Sequence, residues 1–261
     1  MPVSAGIYYF LSQGDSPGGP PVILLHGAGG MHLSWPPEVR RLPGQRVYAL
    51  DLPGHGKSHG SGGQQTIAGY ARLVLDWLDS VKLHRAVFVG HSMGSAIALT
   101  LALDHPGRVL GIGLLGSGVR LRVHPDLLAT AASSTSFRKA IEMLVRGSFS
   151  PQTSPQLVEL VSKRMVDIRQ SVLYGDLVAC NAFDVSQRVT LVRKPALVMC
   201  GIDDQMTPIR YAQYLADAIP GARRQLVPDA GHMLMLEQPQ AVAEAIVTWL
   251  DTIPYNPGEG V

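Results

Sequence analysis

Cysteine is nearly missing from this chain: Cys180 and Cys200 are the two in 261 residues, and neither belongs to a C-x-x-C pair or a histidine cluster. That excludes a disulfide framework, predicts no metal site, and leaves two buried apolar thiols. Charge is scarce as well. Charged residues make up 16% of the chain against 46% hydrophobic residues, and the net charge is only +2. Lysine and arginine form no run beyond the isolated pairs Arg40–Arg41 and Arg223–Arg224. Such a chain has no field suited to nucleic acid, and none is expected as a partner. No apolar window is long enough to span a bilayer, so no membrane span is expected. The segment Met1–Gly6 lacks the basic stretch and apolar run of a signal peptide, which makes a cytoplasmic location the expectation. The sequence carries no signature of oligomeric state.

What is present is material for one large core, since a chain of this length buries roughly three quarters of its unfolded surface. Short apolar runs alternate with longer helical patterns. The strand candidates are Val22–Leu25, Val47–Leu50, Ala86–Val89, Val109–Leu115, Ala196–Met199 and Arg224–Val227. Most are uninterrupted apolar stretches, as expected of parallel strands covered on both faces. Helical patterns fall near Ile67–Val81, Met93–His105, Ile209–Ala218 and Gln240–Thr252, and Gly6–Leu11 with its neighbour suits an antiparallel edge pair. The expected class is α/β, a mostly parallel central sheet flanked by helices.

The alternation breaks from about Val119 to Leu191, where the pattern is helical and punctuated by Pro125, Gly147, Pro151 and Pro155. An insertion there belongs above the carboxyl edge of the sheet, where open α/β sheets bind ligands. The expected division is therefore a core of residues 1–118 and 192–253, a helical cap or lid at 119–191, and a loose Pro/Gly-rich tail at 254–261.

The chemistry is concentrated in loops. Gly90-His91-Ser92-Met93-Gly94 follows the apolar run Ala86–Val89 and precedes the apolar helical stretch Ala96–Leu103. A G-x-S-x-G turn between strand and helix forces its serine out of the core, and the helix N-terminus favours the anion formed in acyl transfer. Ser92 is the candidate nucleophile. His26-Gly27-Ala28-Gly29-Gly30 follows Val22–Leu25 and lacks the G-x-G-x-x-G spacing of a dinucleotide loop. Its free backbone N–H groups suit a negative oxygen, so the N–H groups of Ala28 and Met93 are the candidate oxyanion donors. Of nine histidines, His232 lies on a loop after the Arg224–Val227 run, at the same sheet edge as Ser92, and is the candidate base. Two adjacent aspartates, Asp203 and Asp204, compete as its partner. Met31, Leu33, Trp35, Met206, Met233 and Met235 cluster around these loops. They suit either an adaptable apolar pocket or ordinary core, and Met31, Trp35, Met206 and Met233 are carried forward as pocket candidates.

Five motifs in order, His26-Gly27-Ala28-Gly29, Asp51-Leu52-Pro53-Gly54-His55-Gly56-Lys57-Ser58, Gly90-His91-Ser92-Met93-Gly94, Gly201-x-x-Asp204-x-x-x-Pro208 and Gly231-His232, resemble the α/β-hydrolase superfamily. The resemblance runs from about Val22 to Leu250. The segment Asp176–Val185 is similar to the end of the helical cap in bacterial esterase-like members. The family's acid stands three residues after the glycine and four before the proline, which selects Asp204. What the resemblance implies is a cofactor-free enzyme attacking a carbonyl, here a serine hydrolase of a small-molecule carboxylic ester, and the methionines around the loops point to a small to medium acyl chain. A serine at position 92 rules out the aspartyl-nucleophile members. Perhydrolases, enol-lactonases and carbon–carbon bond hydrolases keep the same triad and are the alternatives, with a slow-turnover small-molecule receptor behind them.

Overall fold

Val22-Ile23-Leu24-Leu25 and Ala86–His91 are buried along their whole length, because each strand is covered by helices on one face and by helices on the other. In the computed structural model, which describes residues 2–14, 18–58, 60 and 62–256, they lie side by side in the middle of an eight-stranded sheet. The chain runs β1 (Val3–Ser4), β2 (Ile7–Gln13), β3 (Val22–Leu25), α1 (Pro37–Arg40), β4 (Arg46–Leu50), α2 (Ile67–Ser80), β5 (Ala86–His91), α3 (Met93–Asp104) and β6 (Val109–Leu115). Four helices follow, α4 (Pro125–Ala131), α5 (Phe137–Ser148), α6 (Pro155–Val166) and α7 (Gln170–Ala182). The order closes with β7 (Ala196–Gly201), α8 (Ile209–Ala218), β8 (Arg223–Val227), α9 (Leu234–Glu237) and α10 (Pro239–Leu250).

The sheet order is β1-β2-β4-β3-β5-β6-β7-β8. β1 and β2 form the antiparallel edge, β2 pairs antiparallel with β4, and all remaining pairs are parallel. From β3 the chain crosses first to β4 on one side and then to β5 on the other. That reversal opens a crevice at the carboxyl ends of β3 and β5, where Leu25 stands opposite Gly90. The glycine-rich loop after β3 and the serine turn after β5 are thereby neighbours.

Helices cover both faces. On one, α2, α3 and α8 bury Tyr70, Trp77, Ile97 and Leu215 against Ile23, Phe88 and Val198; on the other, α1 and α10 bury Val39, Ile246 and Trp249 against Leu24, Val89 and Met199. Thr66 starts α2 by accepting the Gly69 N–H at 3.0 Å. α3 is apolar all round because it is enclosed all round, with Met93 through Ala102 buried. α4, α5 and α7 gather a small core of their own around Leu127, Ile141, Leu144, Leu173 and Leu177. The strands entering and leaving this insertion meet at an antiparallel bridge between Arg120 and Asp184. Among the described residues no helix is long and apolar enough to cross a membrane. Pro254–Asn256 carry no regular secondary structure, and the rest of the expected tail, 257–261, lies outside the described residues.

Candidate active site

Ser92 is the N-cap of α3 and has φ 52° and ψ −114°, a left-handed strand-to-helix turn that costs a non-glycine residue about 1–3 kcal/mol. The turn is held from both sides. Ser92 N–H donates to the Leu115 carbonyl at 2.9 Å, and the buried Ser95 hydroxyl donates to the Gly90 carbonyl at 2.8 Å. A Cβ on Gly90 would overlap the Gly94 backbone, and one on Gly94 would overlap the Leu25 carbonyl. The two glycines are thus what lets β3, β5 and α3 close around the serine. Met93, the first residue of α3, contributes one of the N–H groups that a helix leaves unpaired at its start.

The loop after β3 is a tight turn: Gly30 N–H donates to the Gly27 carbonyl at 3.0 Å, and Gly29 has φ 66°. Gly29 N–H is taken by Asp176 of α7, at 2.9 Å. Ala28 is left with an N–H for which the described residues supply no partner, at the wall of the cavity. Below it, His26 donates from Nδ1 to the Gly27 carbonyl at 2.8 Å and accepts the Leu52 N–H at Nε2 at 3.0 Å. Burial, followed by the charge of His55, lowers its pKa to about 4, so it is a neutral strut.

His232, buried, donates from Nδ1 to Asp204 Oδ2 at 2.9 Å. Asp204 also accepts the backbone N–H groups of Met206 and Thr207 at 2.9 and 2.8 Å and the Thr207 hydroxyl at 2.7 Å. Burial alone would raise the Asp204 pKa, but the neighbouring His232 and these donors outweigh it and hold the carboxyl below its ordinary value. His91 donates from Nε2 to the His232 carbonyl at 2.9 Å; burial, with His232 second, lowers its pKa to about 3. Asp203 turns away and accepts the Ser150 hydroxyl from the insertion at 2.6 Å.

Ser92, His232, Ala28, Met31, Met206 and Met233 all line one cavity of about 330 Å³. No hydrogen bond joins Ser92 to His232 in this arrangement, although both line the cavity. α4, α5, α6 and α7 roof it through Leu127, Leu144, Met165 and Leu177. Two anchors fix that roof to the loop that carries His232: Met233 N–H donates to the Ser148 carbonyl at 3.0 Å, and Glu237 accepts the N–H groups of Ser150 and Gly231 at 2.7 and 2.9 Å.

Trp35 requires a correction. It does not reach the cavity but is fully buried with Val39 and Leu42 beneath the sheet, because the 3-10 turn His32–Ser34 rotates the chain between Met31 and Trp35. Met235 is core on the same side. Thr207, Asp176 and the roofing helices' arginine Arg164 are members of the site that sequence patterns do not single out. Cys180 also lines the cavity, but burial, and then Asp176, raises its thiol well above the ordinary value. Among the described residues no group of histidine, cysteine or carboxylate side chains is arranged to hold a metal ion.

Sheet order, serine turn and glycine-rich loop together define an α/β hydrolase. The chain belongs to that family: residues 20–239 match the model described as the alpha/beta hydrolase fold. Among characterised relatives it is 31% identical over 236 residues to the dihydrolipoyllysine-residue acetyltransferase component of the acetoin cleaving system of Cupriavidus necator, covering 83% of this chain but only 60% of that protein. It is 28% identical over 241 residues to the carboxylesterase YbfK of Bacillus subtilis, covering 88% of this chain and 80% of that one. The enol-lactonase from Burkholderia xenovorans has the same fold, with a TM-score of 0.86 at 24% identity over 94% of this chain and 96% of that one.

Proposed function

We propose that this hydrolase cleaves carboxylic esters of small to medium acyl chain through an acyl-enzyme on Ser92, with His232 as base, Asp204 as its orienting acid and residues 119–191 as the cap. The observation that carries the reading is that a strained, outward-turned serine and a carboxylate-bound histidine line the same cavity. A volume of about 330 Å³ is at the small end of ligand pockets, which run from roughly 300 to 1,000 Å³. Its walls of leucine and methionine suit an unbranched acyl chain.

Each residue then has one task. His232 takes the Ser92 proton at Nε2 while the serine oxygen bonds to the carbonyl carbon. The oxygen that becomes negative is met by the N–H groups of Ala28 and Met93, donors of a kind worth about 3–4 kcal/mol in acyl transfer. Collapse breaks the bond to the leaving alcohol, which takes the proton back from His232. Water, deprotonated by the same imidazole, releases the acid and restores Ser92. Asp204 keeps the proton on Nδ1, so Nε2 presents its lone pair to the serine.

The test is hydrolysis of 4-nitrophenyl esters from acetate to dodecanoate, with Ser92→Ala as matched control. Turnover that peaks at short or middle chains and disappears in the variant is the expected result. Absence of any turnover above Ser92→Ala across the series sinks the ester reading.

A further inference from the structure

The cavity wall is lopsided in charge. Arg120, Arg122 and Arg164 line it, and among the described residues no aspartate or glutamate does. Two of the three are already matched. Arg120 Nε lies 2.7 Å and Arg122 Nη2 3.8 Å from the same oxygen of Asp184, and Arg122 also donates to the Asn181 carbonyl at 3.1 Å. Arg164, on α6, differs. Among the described residues its hydrogen bond is a single one, from Nη1 to the Leu33 carbonyl at 3.3 Å, a long contact to a neutral acceptor. A guanidinium has five N–H donors in a planar fork, so most of this one's capacity faces no carboxylate.

Its surroundings deepen the imbalance. Arg164 acts electrostatically on Arg40, whose guanidinium is depressed first by burial, then by Arg41 and then by Arg164, with Glu38 a partial offset. Arg40 and Arg41 do not line the cavity, but they add positive charge behind the wall that Arg164 occupies. That wall is also close to the chemistry. The next residue, Met165, puts Cε 3.1 Å from where a Cβ on Gly29 would stand, so α6 lies directly over the glycine turn beside Ala28. Ser34 and Met31 continue the same wall toward Ser92.

We propose that the ester this site accepts carries a carboxylate remote from the scissile carbonyl, and that Arg164 binds it. The inference rests on the reading of Ser92 as an ester-cleaving nucleophile and narrows its substrate to monoesters of small dicarboxylic acids or esters of small hydroxy or phenolic acids. A guanidinium fork matches a carboxylate in two parallel hydrogen bonds, and the leucine and methionine walls strengthen the attraction by excluding water. Arg164 contributes to binding and not to bond cleavage. Its removal raises KM and leaves kcat largely alone.

Two pairs of esters that differ only by a methyl or a carboxylate test this. 4-Nitrophenyl pentanoate against mono-4-nitrophenyl glutarate probes the acyl side, and 4-methylphenyl acetate against 4-acetoxybenzoate probes the alcohol side. The expected result is a higher kcat/KM for the anionic member of at least one pair, by about tenfold, shrinking as salt is added. Arg164→Gln raises KM for that anionic ester about tenfold, with KM for its neutral twin within about twofold, and Arg164→Lys restores part of the difference. Thermal unfolding of each variant confirms that it is folded. An equal loss on both members of a pair in Arg164→Gln overturns the proposal, because it shows that Arg164 merely anchors the Leu33 loop. So does a wild-type enzyme with no preference, or a preference abolished by Arg122→Gln but not by Arg164→Gln. Turnover of none of the four esters removes the ester reading and this proposal with it, whereas turnover of the neutral members alone removes only this proposal.

Discussion

His232–Asp204 and His55–Asp176 are built from the same parts. Each is a buried imidazole donating to a buried carboxylate, at 2.9 and 2.7 Å. The difference lies at the other ring nitrogen. His232 binds its carboxylate through Nδ1 and lines the cavity with Ser92. His55 binds Asp176 through Nε2 and faces the Pro53 carbonyl with Nδ1, at 3.2 Å. Both His55 partners are acceptors, which favours the doubly protonated ring. Burial pushes the other way, but the charge and hydrogen bond of Asp176 outweigh it and raise the His55 pKa. Pairing with a carboxylate therefore does not make a histidine a base. A lone pair directed at something that can give up a proton does.

The second pair has work of another kind. Asp176 also accepts the Tyr70 hydroxyl at 2.6 Å and the Gly29 N–H at 2.9 Å. A carboxylate on α7 thus closes on α2 and on the turn that carries Ala28. Under the proposed reaction one pair serves the chemistry, and the other ties α7 to α2 and to the glycine turn.

Exchanging the two acids separates these roles. Asp204→Asn leaves the site assembled but lets the amide stabilise the wrong His232 tautomer, and kcat on a neutral ester falls by about 10⁴-fold in initial-rate assays. Asp176→Asn strips the charge from a buried pair and leaves His55 with an uncompensated environment. Chemical denaturation is expected to register a loss of about 3–5 kcal/mol, with a smaller fall in kcat. If Asp176→Asn proves as inactive as Asp204→Asn while retaining full stability, the division of labour is wrong.

Acidity sharpens the contrast. His26 and His91 have folded pKa values of about 4 and about 3 against an ordinary 6.5, so the unfolded chain binds more protons between those limits. Stability is expected to fall by on the order of 2–5 kcal/mol as pH drops from about 6.5 to about 4.5, read by urea unfolding. His55 has the opposite sign. With its folded pKa raised, the contribution of its pair is complete below 6.5 and lost as pH climbs through the raised value. The stability gap between wild type and Asp176→Asn should accordingly narrow in alkaline buffer. A gap that stays constant means His55 is not the cation. Smallest of all, Thr207→Val removes one donor from Asp204 and costs roughly tenfold in kcat/KM, with the fold intact.

How much of this is legible in the sequence follows the range of the interactions. The strands β3 and β5–β8 and the position of the Ser92 turn depend on local apolar runs and glycines, and their expected limits lie within two residues of the observed ones. Asp204 and His232 follow β7 and β8, so strand order brings them to the same edge. Asp176 is hidden because its meaning comes from Gly29, His55 and Tyr70, up to 147 residues away. Its local signal is an acid between Leu173, Leu177 and Cys180, on a face of α7 that is otherwise buried and apolar. Arg164 reads as the solvated side of an amphipathic helix, and only the docking of α6 over the glycine turn turns it inward. Trp35 errs the other way: adjacency in sequence to a site loop says nothing of direction once a 3-10 turn intervenes.

The helical insertion over the cavity is moored at both ends. At one end Glu237 and the Ser148 carbonyl tie it to the loop that bears His232, and at the other Asp176 locks α7 to the core. A roof pinned at both ends does not swing open as a unit. Between those pins α6 has the fewest buried side chains of the four helices, Val161 alone, with Val158 and Met165 partly buried against the small core. The roof is therefore packed least tightly at α6, the helix that carries Arg164.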